Sequence, residues 1–265
     1  MNVFFKRSGA EGVTEIVNPG NSDSDGLELA LIQPAPGTPV EAVSPGRESL
    51  LVILGGRCSI AVGDAPAWNR LGGRDSVFDG AATSVYVPSG VPYRITAGGQ
   101  AEIAVLRAPA DTGGEPYVIS PSEVAVASRG DGAWHRTVHT ILDESRPAQR
   151  LVVGETFNEP GAWSSYPPHK HDRHDPPREA RFQEVYHFRL APQAGFGIQR
   201  LYSPEAGLDV TFVVEDGDTV LIPFGYHPVV AAPGYRLYYL WALAGEGRRL
   251  LMQEDPAHAW VGRRG

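Results

Sequence analysis

Short runs of hydrophobic residues recur along the whole chain, and hydrophobic positions at helical spacing are hard to find. Gly, Pro, Asn and Asp bound these runs, which is typical of β-strands joined by turns. The predicted strands are Leu27–Gln33, Ser49–Leu54, Cys58–Val62, Ser84–Val87, Ala101–Leu106, Arg150–Phe157, Glu184–Leu190, Gly197–Tyr202, Val210–Val214, Thr219–Ile222 and Arg236–Ala242. Many short strands at fairly even spacing predict an all-β sandwich or barrel.

The same order of predicted strands and turns occurs twice along the chain. Each half has a strand, a Gly/Pro-rich turn, a second strand that begins with glutamate, and a later Pro-x-Gly-containing turn. The segment Pro116–Ser122 separates the halves, and Ser120-Pro-Ser-Glu predicts a brief helical turn with a capping box. We therefore predict two barrels, at residues 1–120 and 121–265. The alternative is chance similarity between turn-rich segments.

Composition narrows the class of protein. The chain has 265 residues, 42% of them hydrophobic, with 31 Gly and 23 Pro, enough for a sizeable core made of short elements. A single cysteine excludes an internal disulfide and fits a reducing compartment. The net charge of -8 argues against a nucleic-acid surface. No apolar run has the length of a signal peptide or a membrane span, so we expect a soluble, cytoplasmic protein without membrane or nucleic-acid partners.

The strongest chemical signal is His169-Lys-His171, followed by Glu184 and by His227 within Pro223-Phe-Gly-Tyr-His-Pro. Two histidines two residues apart on a strand leave the same face, and imidazole with carboxylate suits zinc, manganese, iron or nickel. We expect zinc first, at a single site. Each of these residues alone is also common in loops and strands that bind no metal. The prediction therefore rests on the four residues together.

The first half lacks this set. Glu48 occupies the place of Glu184 and Tyr93 that of His227, but no histidine stands at Glu41–Ser44, where the His-x-His pair would fall. We predict that the first barrel has kept its fold without a metal site.

The second half resembles the cupins and, more narrowly, the 5-deoxyglucuronate isomerase family of bacterial inositol catabolism. The resemblance rests on Gly161-Ala-Trp-Ser-Ser-Tyr-Pro-Pro-His-Lys-His-Asp172, Gly195-Phe-Gly-Ile-Gln-Arg-Leu-Tyr202, Tyr226-His-Pro-Val-Val-Ala-Ala-Pro-Gly-Tyr235, Tyr238-Tyr-Leu-Trp-Ala-Leu-Ala-Gly245 and Asp255-Pro-Ala-His-Ala-Trp260. It implies a bicupin, which is two double-stranded β-helix (jelly-roll) barrels in one chain.

The position of the glutamate departs from the generic cupin pattern, in which it follows the second histidine by three or four residues. Here the segment from Asp172 to Gln183 intervenes before Glu184. Asp175 and Glu179 therefore compete as the fourth ligand. We expect Glu184, because it directly precedes an apolar strand.

The resemblance implies an aldose–ketose isomerase that converts 5-deoxy-D-glucuronate, a small sugar acid, into 5-dehydro-2-deoxy-D-gluconate through an enediolate. The closest rival is the isomerase of 4-deoxy-5-keto-hexuronate in pectin breakdown. A cupin dioxygenase and a non-catalytic sugar-acid-binding cupin remain alternatives. The sequence does not identify the catalytic base or the oligomeric state, although exposed edge strands make a homo-oligomer a reasonable expectation.

Strand alternation suggests further site residues. Arg200 is the candidate for the substrate carboxylate, since guanidinium matches carboxylate in a fork, and a surface ion pair is its alternative. Tyr202 and Tyr238 are candidates to donate to substrate hydroxyls or to relay the proton, with core packing as the alternative. Lys170 lies between the two histidines and is expected at the substrate rim, pointing away from them.

Overall fold

The computed structural model describes residues 1–7 and 11–263, which are almost entirely β-structure. The strands are β1 Phe4–Phe5, β2 Gly12–Val17, β3 Glu28–Gln33, β4 Val40–Ala42, β5 Arg47–Val62, β6 Trp68–Gly72, β7 Ser84–Val87, β8 Tyr93–Thr96, β9 Ala101–Pro109, β10 Tyr117–Ile119, β11 Ala125–Arg129, β12 Arg136–Leu142, β13 Leu151–Asn158, β14 Trp163–Ser164, β15 His169–Lys170, β16 Phe182–Ala191, β17 Phe196–Ser203, β18 Leu208–Glu215, β19 Thr219–Ile222, β20 Val229–Ala231, β21 Arg236–Gly245 and β22 Gln253–Glu254.

Helical structure in this part of the chain consists of single 3₁₀ turns, at Pro121–Glu123, Gly132–Trp134, Pro204–Ala206 and Val261–Arg263. None of them has the length and apolar character that a membrane-crossing helix requires. The predicted turn after Ser120 is confirmed, because the Glu123 carboxylate accepts a hydrogen bond from the Ser120 backbone N–H at 2.9 Å.

Every strand predicted from hydrophobic runs is present, most with ends that differ by one to three residues, and two of the predicted strands are joined. Ser49–Leu54 and Cys58–Val62 belong to one long strand, β5, which continues through the glycine pair with a bulge between Ile53 and Gly55. Gly56 has φ +81°, and a Cβ there would lie 2.1 Å from the Gln100 carbonyl oxygen. Glycine at this point lets the strand bend without ending.

The chain divides into two compact units whose segments alternate in sequence. The N-terminal unit contains Ser8–Ala125 and Ile141–Val152, and the C-terminal unit contains Met1–Arg7, Val126–Thr140 and Val153–Gly265. Both units therefore take residues from each side of the boundary predicted at residue 120.

The N-terminal unit has an apolar interior. Its strands form one curved sheet in which β5 pairs first with β7 and β9 and then, beyond the bulge, with β6 and β8. The buried core of this unit comprises Ala30, Ile32, Leu51, Ile53, Cys58, Ile60, Val62, Val85, Val87, Tyr93, Ile95, Ala97, Ala101, Ile103 and Val105. Tyr93, which the sequence comparison of the two halves aligns with His227, belongs to this core, whose described members are apolar apart from this hydroxyl and the Cys58 thiol.

In the C-terminal unit, strands β16 and β17 belong to different sheets. The larger sheet has the order β1-β19-β16-β21-β13-β12-β11, the smaller has the order β14-β20-β17-β18, and β15 pairs with β22. Along β16, alternation places Glu184, Tyr186 and Phe188 on one face. The polar cluster of the C-terminal unit, which includes Glu184, lies on this face.

Candidate metal centre

Three buried side chains of the C-terminal unit meet at one point. Nε2 of His171 lies 2.9 Å from Oε2 of Glu184, and Nε2 of His227 lies 3.2 Å from the same oxygen. Their candidate ligand atoms all lie within 4.8 Å of one another. Two imidazoles and one carboxylate at this spacing are suited to a divalent ion of the zinc type.

The hydrogen bond that Nδ1 makes in each imidazole ring determines whether Nε2 carries a proton or a lone pair. Nδ1 of His171 lies 3.1 Å from the Phe182 carbonyl oxygen, and Nδ1 of His227 lies 2.9 Å from the Gly225 carbonyl oxygen. A carbonyl only accepts, so a neutral ring donates from Nδ1 and presents a lone pair at Nε2. Both lone pairs then point toward a carboxylate, and Nε2 of His227 is buried without a hydrogen-bond partner among the described residues. This donor set fits a cation between the three groups.

The pKa shifts agree with a compact charged site. Burial alone would raise the pKa of the Glu184 carboxyl, but the close imidazoles of His171 and His227 outweigh burial and lower that pKa to about 2. Burial lowers the pKa of His171, whereas its hydrogen bond to Glu184 raises it, and the net shift is upward. The carboxylate is therefore ionised and available as a ligand.

His169 lies beside this group of three. Its ring centroid is 4.9 Å from that of His227 and 6.4 Å from that of His171. Burial and the charges of His227 and His171 hold its pKa well below the usual value for histidine. A neutral imidazole is the form that binds metal, so His169 is placed to join the other three residues.

The residues that separate His171 from Glu184 in the sequence form a loop. The two ends of this loop, His171 and Phe182, are hydrogen-bonded to each other, so Glu184 lies close to His171. The Phe182 N–H donates to the His171 carbonyl at 2.7 Å, and the His171 ring returns a hydrogen bond to the Phe182 carbonyl. Inside the loop, Glu179 accepts from the backbone N–H groups of Asp172 and Arg173. These hydrogen bonds hold the loop together, and Glu184 follows it near the start of β16.

Asp172 connects the two histidine-bearing segments. Its carboxylate accepts from Lys170 Nζ at 2.6 Å and from the Gly225 N–H at 2.9 Å. Gly225 has φ +92°, and a Cβ there would lie 2.7 Å from the Tyr202 carbonyl oxygen, so this turn requires glycine. The Gly225 carbonyl in turn orients His227. Lys170 and Asp172 therefore fix the ligand positions through the backbone.

A group of hydroxyls lies next to the histidines. The Tyr186 ring is 5.8 Å from that of His227 and 4.2 Å from that of Tyr239. The Tyr186 hydroxyl lies 2.8 Å from Ser165 Oγ, and the Tyr239 hydroxyl donates to Ser164 Oγ at 3.0 Å. Burial and the charge of Glu184 raise the pKa of Tyr186 well above its usual value. These tyrosines stay protonated and can donate hydrogen bonds.

Comparison with known proteins places this centre in a family. The chain matches the KduI/IolB family over residues 4–261. It is 44% identical over 216 residues to a 5-deoxy-glucuronate isomerase of Geobacillus thermodenitrificans, covering 81% of this chain and 78% of that protein. It is 34% identical over 247 residues to that of Bacillus subtilis, covering 92% and 91%. This chain belongs to the KduI/IolB family. The family and these relatives make it an isomerase.

Solved structures agree with this membership. An IolB-like protein from Salmonella typhimurium LT2 superimposes with a TM-score of 0.94 at 34% identity, covering 99% of this chain and 100% of that one. The oxalate decarboxylase of Lactobacillus farciminis, at 14% identity, has a TM-score of 0.66 over 100% of this chain and 91% of that one. The latter likeness shows the fold alone. The prediction of an all-β bicupin is confirmed.

In this KduI/IolB family member, Glu184 is the carboxylate that contacts the histidines, and the two competing acids lie elsewhere. Asp175 is bound to Arg178, and Glu179 caps backbone N–H groups in the loop. Within residues 1–7 and 11–263, His171, Glu184 and His227 form the one group with the composition and spacing of a metal site. In the N-terminal unit, both carboxylate oxygens of Glu48 accept from the backbone, at Gln149 and Leu151 among others.

Three of the residues predicted to contact substrate are bound to other carboxylates. Arg200 is bound by Asp209 through two hydrogen bonds of 2.8 and 2.7 Å and is partly exposed. The Tyr202 hydroxyl donates to Asp255 at 2.6 Å. In β21, the side chain of Tyr238 leaves the opposite face from that of Tyr239, and its hydroxyl donates to Glu155 at 2.9 Å. The structure does not bring these side chains to the histidines.

Sequence reasoning passed over several residues close to the centre, namely Ser165, Tyr239 and Arg136. The signal for Tyr239 was available, because it is paired with Phe188 across β16 and β21 and so shares a face with Tyr186. Ser165 and Arg136 carried no usable signal, since they stand in an irregular loop and in a strand, β12, that its weak hydrophobic pattern did not reveal. Gln199, in β17, is fully buried, and neither amide atom is hydrogen-bonded to any described residue.

Proposed function

We propose that this protein is a metal-dependent 5-deoxy-glucuronate isomerase that uses the cluster of His169, His171, Glu184 and His227. The observation that carries the proposal is the convergence of two imidazole Nε2 atoms on the Glu184 carboxylate in a member of an isomerase family. The substrate is inferred from the names of the relatives, which act on this sugar acid. The proposed ion is zinc, with manganese, iron or nickel as alternatives that the same ligands accept.

Aldose–ketose isomerisation moves a proton between adjacent carbons and develops negative charge on the oxygens they carry. A divalent ion held by the cluster would stabilise that charge as a Lewis acid when bound. The protein contributes an ionised Glu184 and a neutral His169 that fix the position of the site. Tyr186 is buried beside His227 and protonated, so it is suited to donate a hydrogen bond to a substrate oxygen that gains charge.

The proposed function includes a cellular location and a metabolic pathway. A cytoplasmic enzyme of inositol catabolism is consistent with the single cysteine, Cys58, which is buried and free. A homo-oligomer stays a prediction.

The test is to incubate purified protein with 5-deoxy-D-glucuronate in deuterated water and follow ketose formation by NMR, with and without a chelator. We expect turnover under anaerobic conditions, deuterium at the carbon next to the new carbonyl, and loss of both with chelator. Parallel incubation with 4-deoxy-5-keto-hexuronate tests the rival substrate. Oxygen-dependent turnover, or turnover that the chelator leaves unchanged, would contradict the proposal.

Variants link the activity to the cluster. His171→Ala and His227→Ala are expected to lose both stoichiometric metal and isomerisation, because each removes a buried ligand. The matched control is His174→Ala, which changes an exposed histidine of the same segment. Normal metal content and activity in either cluster variant would show that the site lies elsewhere.

A further inference from the structure

Arg136, in β12, is a partly buried cation of the C-terminal unit. Both of its hydrogen bonds come from Nη1, to the Trp134 and Tyr166 carbonyl oxygens, each at 3.3 Å. Within the described residues it makes no salt bridge, and its Nε and Nη2 donate to no protein atom. Nε and one Nη form the fork with which arginine grips a carboxylate in two parallel hydrogen bonds.

The location of Arg136 connects it to the metal centre. Tyr166, whose carbonyl it contacts, stands three residues before His169 and directly after Ser165. Ser165 Oγ is 2.8 Å from the hydroxyl of Tyr186, the tyrosine that packs against His227. The charge of Arg136 is also among the causes that lower the pKa of His169. This guanidinium therefore lies on the same side of the unit as the cluster and its hydroxyls.

The two cations that the sequence predicts near the substrate, Lys170 and Arg200, are already neutralised. Lys170 lies 2.6 Å from Asp172 and 3.7 Å from Glu179. Arg200 is held by Asp209, away from the histidines and partly in solvent. A partly buried guanidinium without a counter-charge is costly, and burial lowers the pKa of Arg136. An anion that arrives with the substrate would supply the missing partner.

We propose that Arg136 binds the carboxylate of the sugar acid and thereby orients its reacting end toward the histidine cluster. This inference rests on the proposed function and replaces Arg200 in the role of carboxylate partner. The carboxylate of a hexuronic acid lies at the opposite end of the carbon chain from the aldehyde. One anchor at each end would fix which carbons reach the cluster, which is the positioning that isomerisation requires.

The experiment compares Arg136→Gln and Arg136→Lys with Arg129→Gln. Arg129 is an exposed arginine of the neighbouring strand β11 whose charge is also felt at Arg136, so it controls for a general loss of positive potential. The steady-state constants for 5-deoxy-glucuronate and the zinc content are measured for each protein. We expect Arg136→Gln to keep its zinc and to raise KM by about 10- to 100-fold, as for loss of a charge-assisted pair. The KM of Arg136→Lys is expected to lie between those of wild type and Arg136→Gln.

A binding measurement identifies the group that Arg136 recognises. Zinc-loaded wild type is titrated with D-glucuronate and with its neutral amide, D-glucuronamide, by calorimetry. We expect wild type and Arg129→Gln to prefer the acid by about 10-fold or more, and Arg136→Gln to bind the two alike. Equal KM values for Arg136→Gln and Arg129→Gln, or an unchanged preference for the acid, would overturn the inference.

The two proposals fail in different ways. If wild type does not isomerise 5-deoxy-glucuronate, the proposed function is wrong, while the titrations still show whether Arg136 discriminates acid from amide. If wild type is active and Arg136→Gln matches the control in both assays, the function stands and the inference fails. Should Arg136→Gln lose its zinc or its fold, Arg136→Lys decides, because it keeps the charge and removes the fork.

Discussion

Nε2 of His171 lies 2.9 Å from Oε2 of Glu184, although the contact between Nδ1 and the Phe182 carbonyl makes that Nε2 an acceptor in the neutral ring. Two acceptors this close repel each other unless a positive charge lies between them. His227 repeats the arrangement from the other side. The relationship makes the glutamate, and not only the histidines, decisive for metal binding.

Glu184→Gln is expected to weaken zinc binding by more than about 100-fold, since even partners outside the ligand shell are worth about 10- to 100-fold. Competition titration against a chromophoric chelator, with metal analysis of the purified protein, measures the effect. Glu205→Gln, a change at an exposed glutamate of the same unit, is the control. An unchanged zinc affinity would assign the carboxylate ligand to another residue.

Tyr186→Phe is expected to keep stoichiometric zinc and to lower kcat by roughly 10- to 1,000-fold, because it removes a buried donor beside the cluster. The pKa of Tyr186 is raised, so its titration should not shape the pH profile below pH 10. The check is a pH–rate profile of both proteins: the two curves should be parallel. A limb that is present in wild type and absent from the variant would show that Tyr186 titrates in the working range.

Gln199→Leu is expected to raise the free energy of unfolding by about 1–2 kcal/mol and to lower kcat/KM. The stability gain follows because the buried amide is not hydrogen-bonded to described residues, and such a group costs about 1–3 kcal/mol. The activity loss is expected because Gln199 faces Val229, two residues after His227. Urea unfolding and steady-state kinetics test both, with exposed Gln193→Leu as the control. A stabilised, fully active variant would remove Gln199 from the site.

His187 should make the protein less stable in mild acid. Burial and the charges of Arg189 and Arg7 hold its pKa well below 6.5, the usual value for histidine. The unfolded chain therefore binds this proton first as the pH falls, and stability is full above pH 6.5 and is lost below it. The loss is about 1.4 kcal/mol per pH unit until the folded pKa is reached.

The measurement compares urea unfolding of wild type and His187→Gln at pH 7.5 and 5.5, with chelator in both. The variant should lose less stability than wild type over this interval, by about 1 kcal/mol. His174→Gln, at an exposed loop position, should behave like wild type. An equal loss in wild type and His187→Gln would mean that His187 does not resist protonation.

Glu48→Gln should affect stability and leave metal unaffected. The Glu48 carboxylate accepts from the backbone N–H groups of Gln149, Arg150 and Leu151 at 2.7–2.8 Å and from the Tyr86 hydroxyl at 2.8 Å. An amide presents one oxygen in place of two, so buried N–H groups lose partners at about 2–4 kcal/mol in all. Denaturant unfolding and zinc analysis test this. Loss of zinc without loss of stability would contradict the structural role.

The strands were predictable because their hydrophobic runs are bounded by turn residues, as for β7 and β19, whose limits match the prediction. The pairing of Glu184 with the histidines could be proposed from the apolar strand it begins. The closed loop that brings it there depends on hydrogen bonds between His171 and Phe182, and strand patterns do not encode these. Arg136 was missed because its role depends on what it does not contact, and only three-dimensional neighbours reveal that.

The alternation of segments between the two units has a consequence for biosynthesis. Phe4 and Phe5 of β1 pair with Val220 and Thr219 of β19, and Lys6 and Arg7 bind Asp218. A ribosome therefore makes one strand of this sheet long before it makes the neighbour, and β1 must stay unpaired through most of translation. For the same reason, a gene cut after codon 120 would encode a histidine-bearing fragment without β1, and recombination between relatives at that point would separate partners that fold together.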